Sequence, residues 1–198
     1  MIGSYRMKRT WIRIAAAAVV AIGSLSCSSE LSNSASPVEL VVTSTQNLFT
    51  IDLAGDPVGS TRCQEDFGTI NLQAIAKNGT VTGDFAQVRI TRYRVSYQRT
   101  DGGTLVPAPF VRSIDTLLQV GSGATAGSNF LIFEQEALSQ APFAALFPNN
   151  GGRDPQTGRS QIKMDVITEV FGHTLAGDNV YDATRQPVTF CYACGGCS

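Results

Sequence analysis

The segment "FAQVRITRYRVSYQRTDGG", residues 85–103, restricts the fold of this chain more than any other stretch. Val88 and Ile90 are apolar at even positions, whereas Tyr93, Val95 and Tyr97 are apolar at odd positions. Successive side chains of a β-strand point to opposite faces, so one extra residue moves all later side chains to the other face. A β-bulge near Thr91 would therefore return both apolar sets to one buried face.

The same bulge would leave three arginines, Arg89, Arg92 and Arg94, together on the solvent face. Such a patch could bind an anionic ligand, either an acidic polysaccharide or a lipid head group. The alternative is a solvated outer face, with charge that protects an edge strand from sticking to another chain. We favour the solvated face on the sequence alone.

Period-2 alternation and closely spaced turn residues recur from Pro37 onward, which indicates an all-β fold. "VELVVTS" (38–44) predicts an opening strand, and "QIKMDVITEVF" (161–171) alternates cleanly. Asn78 and Gly79 form a dipeptide that suits a two-residue hairpin turn. About seven or more short strands separated by turns are typical of an antiparallel sandwich.

One segment has a helical pattern. "EALSQAPFAALF" can place Leu138, Phe143, Leu146 and Phe147 on one face, although Pro142 would interrupt an α-helix. We expect one short helix or a set of turns that crosses the end of the sandwich. The polar segment "PNNGGRDPQTGRS" that follows has the composition of a surface loop. Its Asp154 could help to bind calcium, but a solvated turn is the favoured interpretation.

Two segments carry a resemblance to known domains. "ITRYRVSYQRTDGG" followed by "DVITEVFGHTLAGDNV" resembles the central and late strands of fibronectin type III and other immunoglobulin-like domains. The resemblance implies an antiparallel immunoglobulin-like β-sandwich. Because such domains have ~100 residues, it also implies insertions or extra strands. The chain further resembles uncharacterised exported proteins of Gram-negative bacteria, which implies no activity.

The first 26 residues have the pattern of an export signal. Four basic residues precede the apolar run "IAAAAVVAIGSL". This run is shorter than the ~20 residues that a membrane-spanning helix needs. We therefore predict a signal peptide over residues 1–26.

The end of that run, "GSLSC", resembles a bacterial lipoprotein signal, in which the cysteine is lipidated and becomes the new amino terminus. Cys27 is the matching residue, although Ser24 stands where the family usually has leucine. The resemblance implies a lipidated amino terminus and flexible tether over residues 27–37, followed by a β-sandwich domain over 38–198. Ser28 after the cysteine favours sorting to the outer membrane. Ordinary cleavage after Ser24 or Ser26 remains the alternative.

Removal of the signal peptide changes the charge balance. All sixteen acidic residues but only eleven of the fifteen basic ones follow Cys27, which leaves a formal net charge of −5. Nucleic acid is therefore an unexpected partner, because its binding requires clustered Lys and Arg.

Four further cysteines, Cys63, Cys191, Cys194 and Cys197, form an even set once Cys27 is assigned to lipid. In an exported chain we expect them to form disulfides. If the last strand stayed extended through Cys194, the Cα atoms of Cys191 and Cys194 would lie ~10 Å apart, beyond the ~7 Å limit for a bridge. This argument favours Cys194–Cys197 and Cys63–Cys191.

No cofactor is expected. "CYACGGC" lacks the histidine that must follow CxxC in haem attachment, and it follows a strand instead of opening a thioredoxin-type helix. His173 is the only histidine, and no nucleophile elbow is present. The sequence favours a non-catalytic lipoprotein of the cell envelope, a binding or structural module whose partners are the membrane and envelope proteins or polysaccharide. A carbohydrate-directed enzyme and a Cys-ligated metal protein are the alternatives.

Overall fold

The computed structural model describes residues 35–44, 49–54, 67–79, 83–121 and 126–194. The predicted signal peptide, the lipidation site Cys27 and most of the tether lie outside these ranges. So do Cys63 and Cys197.

The described chain is all-β and forms two sheets. The smaller sheet has the strand order β1-β3-β6, and the larger has the order β2-β8-β7-β4-β5. All neighbours pair antiparallel except β2 and β8, which are parallel. The strands are β1 Val38–Ser44, β2 Phe49–Asp52, β3 Phe67–Ala76, β4 Val88–Arg99, β5 Phe110–Leu118, β6 Ala126–Leu131, β7 Gln161–Thr174 and β8 Asn179–Cys191.

The predicted β-bulge is confirmed. The pairing of β4 shifts between Ile90 and Arg92 against both of its neighbours, β5 and β7. Val88 and Ile90 before the shift are buried, and so are Tyr93 and Val95 after it. The extra residue therefore keeps one continuous apolar face on a strand whose sequence changes parity.

The two sheets pack against each other through this face. The ring of Tyr93 on β4 meets Phe130 on β6 edge-on, with centroids 4.8 Å apart. The hydroxyl of Tyr97 donates to the carbonyl oxygen of Ile132 at 3.0 Å, which satisfies its polar atom inside the core. Aliphatic side chains from both sheets complete a single hydrophobic core.

The helical segment is shorter than a regular helix. It forms one α-helical turn, Gln135–Leu138, and a 3-10 turn, Phe143–Leu146. Phe143 and Leu146 are fully buried, and the ring of Phe143 lies 4.4 Å from that of Phe190. The segment thus supplies core side chains. No helix in the described ranges has the length and hydrophobicity needed to cross a membrane.

The hairpin predicted at Asn78 and Gly79 does not form. β3 pairs with β1 and β6, whereas the next strand, β4, belongs to the other sheet. The connection therefore crosses between sheets, because the buried faces of both strands must meet the same core.

A buried ion cluster holds the turn after β4. The guanidinium of Arg99 binds both carboxylate oxygens of Asp101, at 2.7 and 2.9 Å, and one oxygen of Asp154 at 2.8 Å. All three side chains are at most 1% exposed. The interpretation of Asp154 as a solvated turn is therefore wrong. The polar loop folds back over β4, and a backbone N–H and hydroxyl of Thr157 also donate to this carboxylate.

Removal of the cation should destabilise the fold strongly. Arg99→Met leaves two buried carboxylates without their cation, and we expect the free energy of unfolding to fall by about 3–5 kcal/mol. Arg185→Met removes an exposed arginine whose nearest carboxylate is 3.8 Å away, so we expect a loss of about 1 kcal/mol or less. Urea denaturation of both variants measures the difference, and equal losses would contradict a stabilising role of the cluster.

The cluster should also shape stability in acid. Burial raises the pKa of Asp101, but hydrogen bonds from Arg99 and from the backbone N–H groups of Lys163 and Gly103 outweigh burial and lower the pKa from 3.8 to about 2. Because the folded pKa is the lower one, Asp101 stabilises the fold above about pH 4 and loses this effect as the pH falls towards 2.

The Asp101→Asn variant cannot titrate at this position. Its free energy of unfolding should therefore fall less steeply between about pH 4 and pH 2 than that of the unsubstituted chain, while the slopes near neutral pH coincide. Urea midpoints measured across this range give both slopes. Identical slopes below pH 4 would show that Asp101 has an ordinary pKa in the folded chain.

Candidate functional site

The outer face of the larger sheet carries the three predicted arginines. Arg89 and Arg94 are exposed, and Arg92 is half-buried. Their strand, β4, lies between β5 and β7. The expectation that these charges protect an edge strand is therefore wrong, because β4 has no open edge. We call Arg89, Arg92 and Arg94, together with Phe171 and Tyr181, the arginine face.

Arg89 forms a two-point ion pair with Asp115 on β5. Its Nε and Nη2 atoms donate to the two carboxylate oxygens at 2.8 and 2.6 Å. These hydrogen bonds lower the pKa of Asp115 and raise that of Arg89. Both side chains are more than half exposed, so the pair fixes the direction of the guanidinium and adds little stability.

Arg92 stacks on an aromatic pair. Its guanidinium carbon lies 4.8 Å from the centre of the Phe171 ring, within the range of a cation–π contact. The Phe171 ring in turn lies 5.1 Å from that of Tyr181 on β8. A flat cationic group and two aromatic rings are thereby held side by side.

Glu169 connects this pair to the third arginine. The Tyr181 hydroxyl donates to one oxygen of the Glu169 carboxylate at 3.1 Å, and Arg94 lies 3.6 Å from the other oxygen. Burial and the neighbouring negative charge of Glu169 raise the pKa of Tyr181. The hydroxyl therefore stays protonated and keeps its role as a donor at neutral pH.

A small open pocket of about 100 Å³ lies beside the bulge. Thr91, Arg92, His173 and Asn179 give it polar character, and no carboxylate of the described residues lines it. The described residues that line it are Thr91, Arg92, Phe171, Gly172, His173, Asn179 and Val180. Such a pocket offers hydrogen-bond donors and one fixed positive charge, which suit a carboxylate or another anionic group.

Gly172 allows the strands to approach closely at this pocket. A Cβ atom at this position would lie 2.5 Å from the carbonyl oxygen of Arg89 on β4. Only glycine fits here without moving the backbone. The bulge and Gly172 thus shape the pocket together.

Phe171 and Tyr181, the aromatic half of the site, were not predicted from the sequence. Alternation in β7 places Ile162, Met164 and Val170 inward, so Phe171 had to point outward. This outward position of an aromatic residue was the one sign in the sequence that could have indicated it. Tyr181 lies opposite Phe171 in the register, and Arg92 lies opposite it on the other side.

No protein-family model, curated protein or solved structure significantly matches this chain.

The structure pairs Cys191 with Cys194, which corrects the expected Cys194–Cys197 and Cys63–Cys191 bridges. β8 ends at Cys191, and the chain then turns through Ala193, which has a φ of 50°. The Cα atoms of the two cysteines are therefore 5.9 Å apart and not the ~10 Å of an extended strand. Cys63 and Cys197 themselves lie outside the described residues.

The carboxylate of Asp52 holds this turn in place. Its two carboxylate oxygens accept from the backbone N–H groups of Ala193 and Cys194, at 2.8 and 2.9 Å. Asp52 ends β2, and Cys191 is its partner in the parallel pairing with β8. The disulfide turn therefore fastens the end of β2 to the end of β8. Within the described residues, no group of three or more His, Cys, Asp or Glu side chains could hold a metal ion.

Peptide mapping tests the disulfide. In a Cys197→Ser variant that is alkylated without reduction, the tryptic peptide 186–198 should carry no alkyl group and weigh two hydrogens less than its reduced form. When Cys191→Ser is added to the Cys197→Ser variant, Cys194 loses its partner and should be alkylated. Alkylation of both cysteines in the first variant, or a cross-link to the peptide that contains Cys63, would contradict the Cys191–Cys194 pairing.

Proposed function

We propose that this chain is a non-catalytic lipoprotein of the cell envelope whose immunoglobulin-like β-sandwich binds an acidic polysaccharide through the arginine face. The strand order supports this fold. In such a fold β1, β3 and β6 would correspond to strands A, B and E, and β8, β7, β4 and β5 to strands G, F, C and C′. The long polar loop 147–160 accounts for part of the surplus length.

Export and anchoring rest on the amino-terminal sequence. The signal peptide over residues 1–26, lipidation of Cys27 and a tether up to residue 37 attach the domain to a membrane, with the outer membrane favoured. The Cys191–Cys194 disulfide supports an oxidising compartment, because such bonds persist in exported proteins. It also occupies two of the four thiols that the metal-protein alternative requires.

The observation that carries the binding role is the stacking of Arg92 on Phe171 beside a polar pocket that His173 and Asn179 also line. A restrained guanidinium loses little freedom when it binds a carboxylate at two points. The neighbouring rings of Phe171 and Tyr181 offer a flat apolar surface to the face of a sugar. An acidic sugar presents both groups, and it can approach this cationic face although the chain after Cys27 is negative overall.

Binding assays with polygalacturonate and with uncharged dextran test this role. We expect the chain to bind the acidic polymer only, with an affinity that falls as salt is added. Arg92→Ala should weaken binding by about 10- to 100-fold, since a charge-assisted hydrogen-bonded contact contributes ~1.5–3 kcal/mol. Arg92→Lys keeps the charge and should still bind more weakly, because it loses the planar stack.

Arg185→Ala is the matched control. It removes one positive charge from β8 on the same sheet, at an exposed position opposite Ile167. We expect its affinity to stay close to that of the unsubstituted chain. If the Arg92 and Arg185 variants lost affinity equally, binding would be due to general charge attraction and not to the arginine face. A chain that binds neither polymer would refute the proposal.

A further inference from the structure

One end of the two sheets carries the most exposed apolar side chain of the described residues. Phe85, in the 3-10 turn Asp84–Ala86, is 77% exposed, and Leu175, just after β7, is 44% exposed. Backbone hydrogen bonds tie the two loops together, from Leu175 to Gln87 at 2.9 Å and from Ala176 to Phe85 at 3.1 Å. Phe85 and Leu175 therefore form one rigid apolar tip.

The chain enters the domain at this same end. Val38 begins β1 opposite Ala76, the last residue of β3. Near the end of β3, Ala74 bridges to Val120, which follows the last residue of β5. In the larger sheet, Val88 pairs both with Leu118 at the end of β5 and with Thr174 at the end of β7. The start of β1 and the tip that follows β7 consequently lie at one end of the molecule.

The distance to the proposed anchor is short. Ten residues lie between Cys27 and Val38, so eleven Cα–Cα steps join them. A chain of this length spans at most about 40 Å, and about 18 Å on average if it is a random coil. If Cys27 carries acyl chains, as the proposed function holds, the apolar tip is kept within reach of the bilayer surface.

The chemistry of the tip suits the interface of a bilayer. Aromatic and aliphatic side chains on a rigid loop bury ~5–10 Å deep at the boundary between head groups and acyl chains. The two nearby carboxylates already have partners within the protein. Asp84 accepts from Gln87 at 3.2 Å, and Asp178 accepts from the Thr174 hydroxyl at 3.3 Å.

We propose that Phe85 and Leu175 insert into the surface of the membrane that holds Cys27. This inference rests on the proposed lipid anchor. It goes further, because contact at the tip would orient the domain on the membrane, whereas a tether alone would let it rotate freely. The pocket of the arginine face lies close to this tip, because His173 is two residues before Leu175 and Arg89 is four residues after Phe85. It would then lie near the membrane surface.

A single tryptophan can report on this contact. Trp11 is the only tryptophan in the chain. It lies in the proposed signal peptide, so the processed chain that begins at lipidated Cys27 contains none. In that processed chain, Phe85→Trp places one reporter at the tip, and Leu105→Trp places a matched one at the opposite end, where Leu105 is 42% exposed. Leu175→Trp is a second tip reporter, should the substitution at Phe85 disturb folding.

Each variant is placed in phosphatidylcholine vesicles with brominated acyl chains. We expect the bromines to quench the tip reporters about twofold or more beyond the Leu105 reporter, since an interfacial side chain lies close to the acyl chains. Equal quenching at both ends would overturn the proposal. A change in the fluorescence of the tip reporters that occurs without lipid and grows with protein concentration would mean that the tip binds a second copy of the chain. That result would overturn the proposal as well.

The anchor is tested separately by Cys27→Ser. If anchoring is correct, this variant leaves the membrane fraction of expressing cells, and if its location is unchanged the anchor proposal fails. Added to vesicles, the Cys27→Ser chain should bind about tenfold more weakly when Phe85 and Leu175 are changed to serine, since each apolar side chain adds to interfacial binding. Leu105→Ser should leave binding unchanged. An unchanged affinity of the tip variant would refute membrane contact whatever the result for the anchor.

Discussion

The extra residue in β4 is the constraint on which both faces of the larger sheet depend. Without it, the strand would bury either Val88 and Ile90 or Tyr93 and Val95, but not both pairs. The shift at Thr91 lets all four reach the core. It also brings Arg92 over Phe171 and makes room for the pocket beside Gly172. The hydrophobic core and the candidate binding site are thus two results of one irregularity.

The buried cluster around Arg99 holds the turn after β4 in place, as hydrophobic packing holds the strand itself. It joins that turn to the loop that precedes β7, with two carboxylates around one guanidinium. Taking three charges out of water is costly, and one oxygen of Asp154 has no hydrogen-bond partner among the described residues. The cluster therefore determines where the loop lies more than it adds to stability.

How far the sequence could predict this structure depends on whether a feature is local. Alternation within β4 and β7 predicted the strands and the bulge, because each strand's own sequence records which of its side chains are buried. The turn at Cys191 depends on Asp52, and the burial of Asp154 depends on Arg99, residues 139 and 55 positions away in the chain. No local pattern contains such a partner. For the same reason, Asn78 and Gly79 suggested a hairpin where the chain crosses to the other sheet.

The parallel pairing of β2 with β8 has a consequence for neighbouring molecules. β8 has thirteen residues and would be the open edge of the larger sheet if the four residues of β2 did not cover its last part. An uncovered edge offers a row of unpaired backbone groups to any similar strand nearby. The disulfide turn that fastens β2 in place thereby helps to keep copies of the chain from joining edge to edge.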